Sequence, residues 1–95
     1  MQVRWTSAAL RRRAAIIEYI AQDNPEVALQ LDADIAMAAR KLLQFPMMGR
    51  CGRLPGTREW LVRKNYLLIY LPDAMGITVL GVMHVAQDFW HESQK

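Results

Sequence analysis

The sequence predicts an α+β domain of order β-α-α-β-β-β, with a helical hairpin packed on one face of a small antiparallel sheet of four strands. Three observations carry this reading. An alternating segment opens the chain, two amphipathic stretches follow around Asn24-Pro25-Glu26, and three apolar strand-like runs close it. At 95 residues the chain is a single domain. It divides into a strand plus helical hairpin (1–45), an Arg/Gly/Pro loop (46–56), a three-stranded meander (57–84) and a C-terminal tail (85–95).

Each element has a local cause. Gln2 to Thr6 alternates, with Val3 and Trp5 on one side and Gln2 and Arg4 on the other, which predicts a short strand. Thr6 or Ser7 can cap the first helix, whose stripe is Leu10, Ala14, Ile17 and Ala21, widened by Ile16 and Ile20. Asn24-Pro25-Glu26 restarts the chain as a second helix: a capping side chain, a proline where no N–H is needed, and an acid at the positive end of the dipole. Val27, Leu31, Ile35, Ala38, Leu42 and Phe45 form its stripe until Pro46 stops it. Strands are expected at Thr57 to Val62, Tyr66 to Leu71 and Gly76 to Met83, with Asn65 and the segment Pro72 to Gly76 in the turns. The first strand must pair with the meander, because an isolated pair is not stable.

Composition narrows the classes. Apolar residues make up 53% of the chain, against a usual share of roughly 45–50%, so some apolar surface is expected to face a partner. The single Cys51 excludes an internal disulfide, and two histidines with one cysteine at wide spacing give no metal pattern. No cofactor fingerprint is present: Gly49-x-x-Gly52 follows no strand. No charged-then-apolar leader opens the sequence and no apolar run approaches membrane-spanning length, which predicts a cytoplasmic protein with no membrane partner.

The net charge of +3 conceals a partition. Ala14 to Ala39 holds five acids and no Lys or Arg, whereas Arg40 to Lys64 holds seven cations against Glu59 alone. Such a field steers anionic partners, whether nucleic acid or acidic protein. Arg50, Arg53, Arg58, Arg63, Lys64, Trp60 and Trp90 are therefore candidate nucleic-acid or partner-binding residues.

The order of elements, with Trp5-Thr-x-x-Ala, Tyr19-Ile-Ala-x-Asp-Asn-Pro25, Phe45-Pro-x-x-Gly-Arg50-x-Gly-Arg53-x-Pro-Gly-Thr-Arg58-Glu59 and Val82-x-His84-x-x-Gln-Asp88-x-Trp90, resembles the RelE/ParE superfamily of toxins over essentially the whole chain. The resemblance implies the toxin of a bacterial type II toxin–antitoxin module, held as a hetero-oligomer by a cognate antitoxin. Two actions occur on such a fold: ribosome-dependent mRNA cleavage, as in RelE-like members, and inhibition of DNA gyrase, as in ParE-like members.

Metal-free RNA cleavage needs a proton acceptor for the 2′-hydroxyl, a cation on the scissile phosphate and an acid for the leaving oxygen. If this chain is a nuclease, His84 is the acid/base candidate and Arg58, Arg63 and Lys64 the phosphate candidates; Glu59 is a conceivable base. Several features depart from RelE-like chains. The run Tyr66-Leu-Leu-Ile-Tyr70 carries no cation, and Phe89 and Trp90 near the end cannot transfer a proton, leaving only His91 there. These departures favour gyrase inhibition slightly. The alternatives are a ribosome-dependent endoribonuclease and a degenerate toxin that only binds its antitoxin.

Overall fold

The computed structural model describes residues 1–86. The chain runs β1 (Gln2–Trp5), α1 (Ser7–Asp23), α2 (Pro25–Gln44), β2 (Arg50–Cys51), β3 (Arg58–Val62), β4 (Tyr66–Asp73) and β5 (Gly76–His84). Two helices lie on one face of a five-stranded sheet of order β1-β5-β4-β3-β2, an α+β architecture.

Both helix starts follow the local chemistry. Thr6 Oγ1 accepts from the Ala9 N–H at 3.0 Å, and Asn24 Oδ1 accepts from the Val27 N–H at 3.2 Å. Each such cap stabilises its helix by about 1 kcal/mol. With Asn24 alone between them, α1 and α2 fold back on each other as a hairpin.

The sheet differs from the expected antiparallel, four-stranded layer in two ways. First, β1 runs parallel to β5, with Val3 beside Ile77 and Trp5 beside Val79. The hairpin provides the crossover that a parallel pair requires. Second, the segment expected as a loop over 46–56 contributes β2, a two-residue edge strand with Arg50 opposite Glu59. β4 and β5 also run further than their apolar runs, to Asp73 and His84, so Ala74 and Met75 alone form the turn.

The core lies between the layers. Leu31, Ile35 and Leu42 of α2 and Ile16 of α1 meet Val62, Leu68, Tyr70, Ile77 and Val79 of the sheet. Each fully buried aliphatic side chain contributes roughly 1.5–3 kcal/mol. The α1 stripe is rotated from the expected one. Ala9 and Ile16 are buried while Leu10 and Ala14 face outward, because Arg13 lies over the Trp5 ring at 4.8 Å and binds Asp32 of α2 at 2.7 Å. In α2 the ends of the stripe, Val27 and Phe45, are likewise exposed.

Candidate functional site

The candidate cations fall at two ends of the sheet. Arg58 and Arg63 stand five positions apart on and just beyond β3, roughly 16 Å at about 3.3 Å per residue. Arg50, Arg53 and Arg58 belong to the end where α2 runs into β2. Arg63 and Lys64 form the β3–β4 turn at the other end, which also holds His84, since Val62 pairs with Tyr66 and Tyr66 with His84.

At the first end, Arg58 serves the backbone. Its Nη1 donates to the Gly49 carbonyl at 2.6 Å and to the Met47 carbonyl at 3.3 Å. The buried Tyr70 phenol works on the same segment. It accepts from the Gly49 N–H at 3.0 Å and donates to the Pro46 carbonyl at 2.6 Å. Burial pushes the Tyr70 hydroxyl above its ordinary value of 10.0, against smaller opposing effects of the Gly49 hydrogen bond and the Arg58 charge. Glu59 is 7% exposed and ion-paired with Arg50 Nε at 3.2 Å. That pairing opposes the role of a free base. Cys51 is an exposed thiol on the edge strand opposite Arg58.

At the second end, Arg63 and Lys64 adopt left-handed backbone conformations, with φ of 59° and 74°. Such conformations are strained for residues with a Cβ. The Arg63 guanidinium pairs with Asp34 of α2, and the Val85 N–H donates to the Asn65 carbonyl at 2.7 Å, tying the turn to the end of β5. The His84 ring stands edge-on to Tyr66, centroids 5.1 Å apart and planes at 89°. Its Nδ1 accepts from the Ala86 N–H at 3.2 Å, so the neutral ring carries its proton on Nε2. Arg12, Tyr19, Tyr66 and His84 line a groove of about 420 Å³ beside α1. Arg12 reaches β5 by donating from Nε to the Val82 carbonyl at 3.3 Å. The structure thus brings His84 together with Arg12 and two phenols, and near Arg63 and Lys64, but not with Arg58. In the sequence Arg12 belongs to a basic cluster, Arg11 to Arg13, and Tyr19 to a motif, but neither is assigned to a site, because nothing in their own segment announces that α1 crosses the end of β5.

A larger groove of about 690 Å³ runs between α2 and the outer edge of β3. Met37, Ala38 and Phe45 of α2 face Trp60 and Leu61 across it, with Arg40, Lys41 and Arg63 on its rim. Met37, Phe45 and Leu61 are 60%, 57% and 47% exposed. Of these residues only Trp60 and Arg63 are candidate site residues in the sequence, where Ala38 and Phe45 read as core stripe. The spacing Asp34, Met37, Lys41, Gln44 marks a second stripe on α2, beside the core stripe, that could have revealed Met37 and Lys41. Trp90, Phe89 and His91, with the rest of the expected tail beyond 86, lie outside the described residues. Among the described residues no group of three or more His, Cys, Asp and Glu could hold a metal ion, and no helix is long and apolar enough to cross a membrane.

Comparison with known proteins agrees with this architecture. The chain matches the family described as "ParE toxin of type II toxin-antitoxin system, parDE" over residues 3–89. It is 35% identical over 88 residues to the inferred toxin Y4kP of Sinorhizobium fredii (strain NBRC 101917 / NGR234), covering 93% of this chain and 92% of that protein. A solved chain of the chromosomal ParDE toxin–antitoxin system from P. aeruginosa has the same fold, with a TM-score of 0.77 at 23% identity, over 88% of this chain and 95% of the other. The chain therefore belongs to the ParE family, within the RelE/ParE superfamily of type II toxin–antitoxin toxins.

Proposed function

We propose that this toxin arrests growth by binding DNA gyrase, without cutting RNA, and that a cognate antitoxin neutralises it in the cytoplasm. The observation that carries this reading is the employment of Arg58. Its Nη1 donates to both the Met47 and Gly49 carbonyls, which anchors the guanidinium on the backbone, and β4 offers no cation beside it. A missing oxyanion donor costs an enzyme roughly 3–4 kcal/mol of transition-state stabilisation, so a phosphoryl transfer centred on this sheet would be severely handicapped. Glu59, the conceivable base, is buried against Arg50.

One observation favours a second reading, ribosome-dependent mRNA cleavage. His84 shares its groove with Arg12, Tyr19 and Tyr66, residue types suited to proton transfer and phosphate contact. The two readings separate by adding purified toxin to a gyrase supercoiling reaction and to a translating ribosome extract. Loss of supercoiling with intact mRNA supports the first. Cleavage in the ribosomal A site that disappears in His84→Ala overturns it in favour of the second. No effect in either assay leaves a chain that only binds its antitoxin.

A further inference from the structure

The apolar stripe that runs along α1 is only partly spent on the core. Leu10 is 50% exposed, Ala14 is exposed, and Ile17 and Ala21 are half-buried. They follow at steps of four, three and four, the alternating spacing of a helix–helix seam. Leu10, Ala14 and Ile17 line a groove of about 370 Å³, bordered on the α2 side by Arg13 and Asp32, which bind each other. The opposite flank of the stripe carries Arg11 and Glu18, both exposed. Seven residues apart, they stand on one line along the helix, separated by about 10 Å of its axis. Neither makes an ion pair among the described residues.

We infer that this stripe binds the same stripe of a second copy of the chain, with the two α1 helices antiparallel. In that arrangement Leu10 meets the partner's Ala21, and Ile17 meets the partner's Ala14. Each large side chain then lies over a small one, and the two axes can approach to about 8 Å. A two-fold interface repeats every contact in reverse. Arg11 therefore faces the partner's Glu18, while Glu18 faces the partner's Arg11. This exchange is what selects a second copy as the occupant. A uniformly acidic partner would repel Glu18, and a uniformly basic one would repel Arg11, whereas the antiparallel copy answers both. The Arg13–Asp32 pair leaves the other flank neutral, so nothing there opposes the approach. A seam of four residues a side is smaller than the roughly 800 Å² per partner of a standard interface, so the dimer is weak, with a dissociation constant on the order of 100 μM. The inference does not depend on what the toxin attacks.

Sedimentation velocity of the whole chain, from about 5 to about 500 μM, tests it. The native chain should pass from monomer to dimer across that range. Ala14→Glu sets like charges at the centre of the seam and should raise the dissociation constant at least about tenfold. Circular dichroism and the melting temperature check that this exposed helix position still folds. Arg11→Glu and Glu18→Arg should each raise the constant about fivefold or more at low salt. The double reversal, and equally a mixture of the two single variants, should restore association, because each recreates both opposite-charge contacts. A monomer at every concentration overturns the inference. So does a dimer indifferent to Ala14→Glu, or charge variants that behave alike singly and together. Failure of the toxin to act on gyrase leaves these measurements untouched, so the two conclusions fall separately.

Discussion

The amide of Gly49 and the phenol of Tyr70, far apart in sequence, are joined by a hydrogen bond of 3.0 Å inside the protein. Through it, and through the bond from Tyr70 to Pro46, β4 grips the segment that leaves α2. Tyr70→Phe strands a buried N–H and a carbonyl together. The expected loss of stability is about 1–3 kcal/mol, read from urea unfolding. A change below about 0.5 kcal/mol, the usual scatter of surface substitutions, would show that Arg58 alone holds the segment.

The raised Tyr70 pKa also gives stability a dependence on alkaline pH. The folded protein keeps the phenolic proton at pH values where the unfolded chain, titrating near 10.0, releases it. The native state then binds more protons, so stability falls as pH rises. The contribution is complete below the unfolded pKa and is lost as pH climbs through the folded one. Denaturation midpoints of the native chain should drop more steeply above pH 10 than those of Tyr70→Phe; parallel curves would contradict this.

Arg58→Lys separates a structural guanidinium from a phosphate-binding one. A lysine keeps the charge but ends in a compact ammonium on a shorter stem, which cannot take the position from which Nη1 donates to both the Met47 and Gly49 carbonyls. Stability should fall by about 1–2 kcal/mol, with the gyrase inhibition proposed above retained below the melting range. Unchanged stability with abolished activity would assign Arg58 to the partner instead.

Lys64 holds a φ of 74° that glycine adopts freely. Lys64→Gly should therefore raise stability by about 0.5–1 kcal/mol, despite the greater freedom it gives the unfolded chain. Calorimetric melting measures this. A lower melting temperature would mean that the lysine side chain holds the turn.

Gly76 opens β5 at a φ of 133°, and a Cβ there would lie 2.1 Å from the Gln2 carbonyl oxygen. Backbone cannot yield as a flexible side chain does. Gly76→Ala should cost more than about 2 kcal/mol and release exchange protection of Val3 and Trp5 before that of β4. Uniform loss across the sheet would show that β1 does not open separately.

What could be read from the sequence was decided locally. Asn24-Pro25-Glu26 carries its own capping chemistry, and Tyr66-Leu-Leu-Ile-Tyr70 is a strand whatever surrounds it. What could not be read depended on distant segments. α1 has apolar residues on two sides, and contacts with Trp5 and Asp32 select Ala9 and Ile16 over Leu10 and Ala14. The direction of β1 depends on where the hairpin sets it down. Two residues, Arg50 and Cys51, carry no periodicity that could announce a strand. For the cations, the sequence order gave the density of charge, but the β3 spacing that separates Arg58 from Arg63 and the carbonyls that occupy Arg58 emerge only in three dimensions.

The parallel placement of β1 has a consequence for how a cell makes this protein. Arg4 meets Thr78 across a separation of 74 residues, so the first strand waits for β5 to be synthesised. Long-range pairing of this kind comes late in folding, and the sheet cannot close while its C-terminal strand is still in the ribosome's exit tunnel. A chain halted before β5 emerges therefore leaves β1 without the strand it pairs with.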